Sequence, residues 1–164
     1  MGSLQPDRPR ALELRAAGAD DEAFLFALYA STRAEELALV PWSDAEKDAF
    51  LRMQFEAQRR HYATYYPAAA HDVVLADGEP AGRLYVDRRE DEISVIDIAL
   101  LPEYRGRGIG TQLLTPILAE ADAVGKKVSI YVEHRNRARR LYERLGFVEV
   151  ADQGVYALLE RQPN

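Results

Sequence analysis

The segment Pro102-Glu103-Tyr104-Arg105-Gly106-Arg107-Gly108-Ile109-Gly110-Thr111 constrains this chain more than any other stretch. Before it lies Glu92 to Leu101, a β-rich run containing Ile93, Val95, Ile96, Ile98 and Leu100. After it, from Gly108 to Gly125, the residues Gly110, Leu113, Leu114, Ile117, Leu118 and Ala121 recur at helical spacing. The segment is therefore a strand-to-helix turn. Glycines without a Cβ let successive backbone N–H groups converge on an anion, and the helix N-terminus adds the positive end of its dipole. Arg105 and Arg107 supply full charges beside it. Such a corner suits a pyrophosphate-bearing ligand. The dinucleotide fingerprint does not fit, because Thr111 and Leu113 stand where its spacing would need glycine and the unit is not the first strand–helix of the chain. A Gly-Lys-Ser/Thr P-loop is absent too. The plain alternative is a glycine turn that merely joins strand to helix.

The rest of the chain supplies the setting. Ala11 to Ala16 reads as a short strand and Asp20 to Tyr29 as a helix with Ala23, Phe24, Ala27 and Leu28 on one face. A second helix starts at Ser43, where Glu46 completes a capping box, and carries Leu51, Phe55, Gln58 and Tyr62 along one side. His71 to Ala76 and Ala81 to Asp87 are strands joined through Asp77-Gly78, a hairpin signal. Pro116 inside the third helix predicts a kink. Lys127 to Val132 is a strand, Asn136 to Leu145 a short helix, and Phe147 to Val150 and Val155 to Leu159 close the chain as a pair of strands. The order β, α, α, β, β, β, α, β, α, β, β specifies an α/β (α+β) fold with a mixed sheet. Residues 1–10 read as a loose N-terminus and 11–161 as a single domain, since 164 residues suit one core.

Composition narrows the function. Against 21 Lys and Arg stand 27 Asp and Glu, a net charge of −6, which argues against a protein that grips nucleic acid. The absence of cysteine removes thiol nucleophiles, zinc-thiolate sites and iron–sulfur clusters, and is consistent with a reducing, cytoplasmic compartment. His61, His71 and His134 include no i, i+4 pair for a helical metal site, so no metal is expected. No apolar run approaches the roughly 20 residues of a membrane span, and the first residues lack the build of a signal peptide.

Arg105, Gly108 and Gly110 match Arg/Gln-x-x-Gly-x-Gly/Ala, and Asn136, Ala138, Leu141, Tyr142, Gly146 and Phe147 form a second motif one crossover later. On these two motifs the chain resembles the GCN5-related N-acetyltransferase superfamily, over about residues 11 to 160. The resemblance implies a mostly antiparallel central sheet splayed between strands 4 and 5 and flanked by about four helices. It implies acetyl-CoA as cosubstrate and direct transfer of the acetyl group to a primary amine of a small molecule or peptide, by a monomer or a homodimer.

For the site, the resemblance places the backbone of Arg105, Gly106, Arg107, Gly108, Ile109, Gly110 and Thr111 on the pyrophosphate. It places Ile98, Ala99 and Leu100 beside the pantetheine, with an N–H near Leu100 on the thioester oxygen. Asn136 would contact the pantetheine arm or brace the splay, or else cap its helix. Tyr142, a phenol protonated at neutral pH, is the candidate general acid for the departing sulfur, against plain core packing. Asp97, a charge inside an apolar strand, is the candidate base, with Glu92 as its rival. Trp42, His61, Tyr62, Tyr65 and Tyr66 are the aromatic candidates for the acceptor pocket, followed by Arg83 and Tyr85. The arginines at 135, 137, 139, 140 and 144 form a solvated helix face from which one could reach the cofactor's 3′-phosphate. A non-catalytic acyl-CoA-binding module on the same fold is the competing reading.

Overall fold

The computed structural model describes residues 11–164, and the expectation of a loose N-terminus falls outside them. Local chemistry explains most of the elements. Strand β1 covers Leu12–Ala16, and helices α1 (Glu22–Ala38) and α2 (Asp44–Tyr65) follow. At the start of α2, Glu46 N–H donates to Ser43 Oγ at 3.1 Å while Ser43 N–H donates to Glu46 Oε1 at 3.1 Å, the reciprocal bonding of a capping box. Strands β2 (Ala70–Ala76) and β3 (Glu79–Arg88) turn at Asp77 and Gly78, whose φ of 49° and 84° are both left-handed, as a two-residue hairpin turn of this kind needs. After β4 (Glu92–Leu100) come α3 (Ile109–Val124), β5 (Lys127–Glu133), α4 (Arg139–Arg144), β6 (Val148–Gln153) and β7 (Tyr156–Arg161).

Two helices differ in extent from the sequence expectation. Helix α1 runs on to Ala38, and buries Leu37, through a stretch whose apolar spacing is poor. Helix α4 begins only at Arg139, because Asn136 forms a turn first: its Oδ1 accepts the Ala138 N–H at 2.9 Å and its carbonyl accepts the Arg139 N–H at 3.1 Å. Helix α3 is unbroken across Pro116, with the Thr115 hydroxyl donating to the Thr111 carbonyl at 2.7 Å.

The seven strands lie in the order β1-β2-β3-β4-β5-β7-β6, and every neighbouring pair is antiparallel except β4 and β5. That parallel pair runs only from Glu92↔Lys127 to Val95↔Ile130. Beyond it β4 stays with β3 as far as Gly82↔Leu100, and β5 stays with β7 as far as Glu133↔Tyr156. The sheet is therefore splayed between its fourth and fifth strands. The register gives a local reason: Tyr85 faces Asp97 while Val86 faces Val95, so Ile96 is an extra residue. A bulge of this kind bends its strand and increases the local twist.

Each face of the sheet has its own apolar cluster. On one, Leu84, Val86, Ile93, Val95, Val128, Ile130 and Leu159 pack with Ile109, Leu114 and Ile117 of α3 and with Tyr142 and Phe147. A second cluster joins α1 and α2 through Leu25, Tyr29, Leu37, Leu51 and Phe55. Arg83, next to Leu84 along β3, must point to the opposite side from it, and there it reaches Gln58 of α2.

Candidate active site

The turn before α3 is built to leave amides free. Gly106 and Gly108 have φ of 73° and 79°, and Gly108 is the N-cap of the helix. The first helical bond closes from Gln112 N–H to the Gly108 carbonyl at 3.1 Å. The N–H groups from Gly106 to Thr111 find no acceptor among the described residues. Ile109, almost fully buried, anchors the start of the helix in the core, while Thr111 is exposed. At Gly110 an added Cβ would come within 2.8 Å of Leu141 Cδ2, so this glycine lets α3 and α4 approach. Arg105 Nε donates to the Leu100 carbonyl at 3.0 Å, which ties the turn to the end of β4. Arg107 lies over the Tyr104 ring at 5.8 Å. Neither guanidinium enters an ion pair among the described residues.

Register decides which β4 groups face the splay. Leu101 N–H donates to the Ala81 carbonyl at 2.8 Å, and Arg83 pairs with Ala99. Alternation along an antiparallel ladder then commits the amides of Ala99 and Asp97 to β3 and turns those of Ile98 and Leu100 toward the side from which β5 has diverged. The Leu100 carbonyl on Arg105 agrees with this parity. Of the three residues expected beside an extended ligand, Ile98 and Leu100 turn their amides into the splay and Ala99 bonds the neighbouring strand.

Asp97 is brought close enough to Tyr142 for its charge to act on the phenol. Tyr142 is only 3% exposed, with its ring edge-on to Phe147 at a centroid distance of 6.0 Å. Its hydroxyl makes no hydrogen bond among the described residues, and the ring is part of the core. Burial, reinforced by the charge of Asp97, pushes the phenol's ionisation up, which keeps it a proton donor. Asp97 Oδ2 accepts from Arg83 Nε at 2.9 Å and also from Arg83 Nη2, which donates to Gln58 Oε1 at 2.6 Å. Asp97 Oδ1 carries no bond among the described residues. Tyr62 stands over Arg83, its centroid 5.7 Å from the guanidinium carbon, and packs on Tyr85 at 5.1 Å. Burial, then the charge of Asp97, also raises the ionisation of Tyr62. His71 stacks on Tyr85 at 4.5 Å, and burial, with Arg83 nearby, holds its imidazole down at about 4.

Other predicted residues lie elsewhere. Glu92 accepts from Arg89 Nη1 at 3.0 Å at the end where β4 and β5 still pair, away from the splay. Asn136 uses its Oδ1 as a turn cap. Trp42 packs on Phe50, and Tyr65 is largely exposed beside His61. Arg139 is engaged by Glu143 and Glu149, while Arg135 and Arg140 remain in an open depression near the end of β5 with His134 and Asn136. Glu133 ends β5 on the far bank of the splay and accepts from Arg33 Nη1 at 3.0 Å. Among the described residues no cluster of His, Asp and Glu is arranged to hold a metal, and no helix is long and apolar enough to cross a membrane.

The sequence profile described as the Acetyltransferase (GNAT) family matches residues 24–147. The chain belongs to the GNAT family. Its fold agrees with that of the PaiA N-acetyltransferase of Thermoplasma acidophilum in complex with coenzyme A, at a TM-score of 0.70 and 17% identity over 93% of this chain and 99% of that one. An acetyltransferase from Thermus thermophilus superposes at 0.67 with 19% identity, covering 95% of this chain and 99% of that one. Over 61 residues the chain is 39% identical to the ribosomal protein bS18-alanine N-acetyltransferase of Haemophilus influenzae, a match covering 37% of this chain. The chain spans 42% of the length of that relative. The mixed, splayed sheet described above is shared with these structures.

Proposed function

We propose that the protein transfers the acetyl group of acetyl-CoA directly to a primary amine of a small molecule or peptide. The observation that carries this reading is the opening between β4 and β5, where free amides of Ile98 and Leu100 lead from the unpartnered turn at Gly106 to Thr111 toward Tyr142 and Asp97. The turn would hold the pyrophosphate through backbone N–H groups, helped by the dipole of α3 and by Arg105 and Arg107. The β4 amides would hold the pantetheine as an added strand and polarise the thioester oxygen. Asp97 Oδ1 accepts a proton from the incoming ammonium, directly or through water, and the amine nitrogen bonds to the carbonyl carbon. As the carbon–sulfur bond breaks, the Tyr142 hydroxyl gives its proton to the sulfur, the nitrogen sheds its second proton to solvent, and Asp97 and Tyr142 return to their starting protonation by exchange with solvent. Asp97 is preferred to Glu92 as the base because its charge reaches Tyr142, whereas Glu92 is bound to Arg89 at the closed end. The relative that acetylates a ribosomal-protein alanine supports an amine acceptor.

Tyr142→Phe tests the assignment. Without the hydroxyl, kcat is expected to fall about 100-fold, measured as free coenzyme A released in the presence of amine, with acetyl-CoA affinity by calorimetry nearly unchanged. An unaltered kcat removes Tyr142 from the mechanism. Binding of acetyl-CoA with no transfer across a broad amine panel establishes a binding module instead.

A further inference from the structure

The turns that follow β4 and β5 share one end of the sheet, because the two strands are parallel. Each turn leads into a helix, α3 or α4, on the same face: Ile109 and Leu113 of α3 join Tyr142 of α4 in one apolar cluster. The helices meet where a Cβ added at Gly110, in the first turn of α3, would come within 2.8 Å of Leu141 Cδ2. Leu141 is the neighbour of Arg140 in the chain. The turn at Gly106 to Thr111, with its free amides, therefore borders the loop at the end of β5. That loop and α4 line an open depression of about 630 Å³, to which His134, Arg135, Arg137, Arg139 and Arg140 contribute.

Some of these cations are already engaged. Arg139 Nε donates to Glu143 at 3.0 Å and its Nη2 to Glu149 at 3.4 Å, and His134 Nε2 lies 3.1 Å from Asp152 Oδ1. Arg137 meets Glu35 at 3.5 Å with both side chains almost fully exposed, where an ion pair contributes little. The side chains of Arg135 and Arg140 enter no hydrogen bond or ion pair among the described residues, so two full positive charges line the depression unopposed. The chain as a whole carries a net charge of −6, and an anion is held at this rim only by such a local excess of cations.

Coenzyme A carries phosphate at two places on one ribose: the 5′-oxygen ends in the pyrophosphate and the 3′-oxygen bears a separate monophosphate. A pyrophosphate held on the α3 turn leaves the 3′-phosphate one sugar away, at the bordering depression. A monophosphate dianion suits guanidinium groups, which donate in pairs to its oxygens. We propose that Arg135 and Arg140 hold the 3′-phosphate of acetyl-CoA and make the protein distinguish coenzyme A from 3′-dephospho-coenzyme A. This rests on the acetyl-CoA reading above and adds the residues that select the cosubstrate. Both arginines lie away from the thioester, so they set affinity for the cosubstrate rather than the rate of transfer.

The test measures binding of coenzyme A and of 3′-dephospho-coenzyme A to the whole chain by calorimetry, at one ionic strength. Coenzyme A is expected to bind about 30-fold more tightly, through charge-assisted bonds that the dephospho form lacks. In the double variant Arg135→Gln, Arg140→Gln the two ligands are expected to bind within about threefold of each other, with the dephospho form bound as in the unaltered protein. Both side chains are exposed, and the retained affinity for the dephospho form reports an intact fold and turn. Arg144→Gln removes a charge from the same basic run outside the lining of the depression, and the preference should survive it. Equal binding of the two ligands by the unaltered protein overturns the proposal and leaves acetyl transfer intact. So does a preference that persists in the double variant, an equal loss for both ligands there, or a preference abolished by Arg144→Gln. If neither ligand binds the unaltered protein, the acetyl-CoA reading fails as well.

Discussion

A Cβ added at Gly82 would lie 2.1 Å from the Ala99 carbonyl oxygen and 2.8 Å from Leu100 Cδ2. The first contact is with backbone, which cannot rotate away, so β3 and β4 approach at this point only because glycine is there. Gly82→Ala is expected to cost about 3 kcal/mol, read as a lower urea midpoint, and to impair transfer by moving the strand that carries Asp97. His71 governs acid sensitivity. Its imidazole is held at about 4 in the fold, against about 6.5 in an unfolded chain. Between those values the unfolded state binds a proton that the folded state refuses, so stability falls as pH drops through that window and the penalty is complete below about 4. The penalty is on the order of 2 kcal/mol, and His71→Asn should flatten the difference in urea midpoint between pH 7.5 and pH 5.

Among the elements, α3 carries an internal conflict. It delivers the anion-binding N-terminus and packs Leu113, Leu114, Ile117 and Leu118 into the core, yet holds an exposed proline at its middle. Proline removes a backbone donor there, while also restricting the unfolded chain. Pro116→Ala should therefore raise stability by about 1–2 kcal/mol in denaturant titration with an unchanged slope, and leave activity intact. The capping box of α2 and the Asp77-Gly78 turn were legible because both depend on residues adjacent in sequence. The far end of α1 was not, since tertiary burial of Leu37 extends it through residues with no apolar rhythm.

At the scale of the molecule, the turn at α3 and the two banks of the splay come from different parts of the chain, and a ligand spanning them would bind only the folded state. Coenzyme A at about a hundred times its dissociation constant should stabilise the protein by about 2.7 kcal/mol, raising Tm by about 5–10 °C. The absence of any shift would count against the proposed site.

The strand–turn–helix unit, its glycines and arginines, the hairpin and the order of elements were set by local chemistry and could be read in the sequence alone. Packing partners decided the rest. The β4–β5 pairing that stops at Val95, the extra residue at Ile96, and the meeting of Arg83, Asp97 and Gln58 join residues on separate elements. Asp97 stood out in the sequence as a charge in an apolar strand, but which of its oxygens is free depends on an arginine that only the sheet brings beside it. Side-chain donors and acceptors are used up by neighbours in space, and a linear pattern does not specify those neighbours.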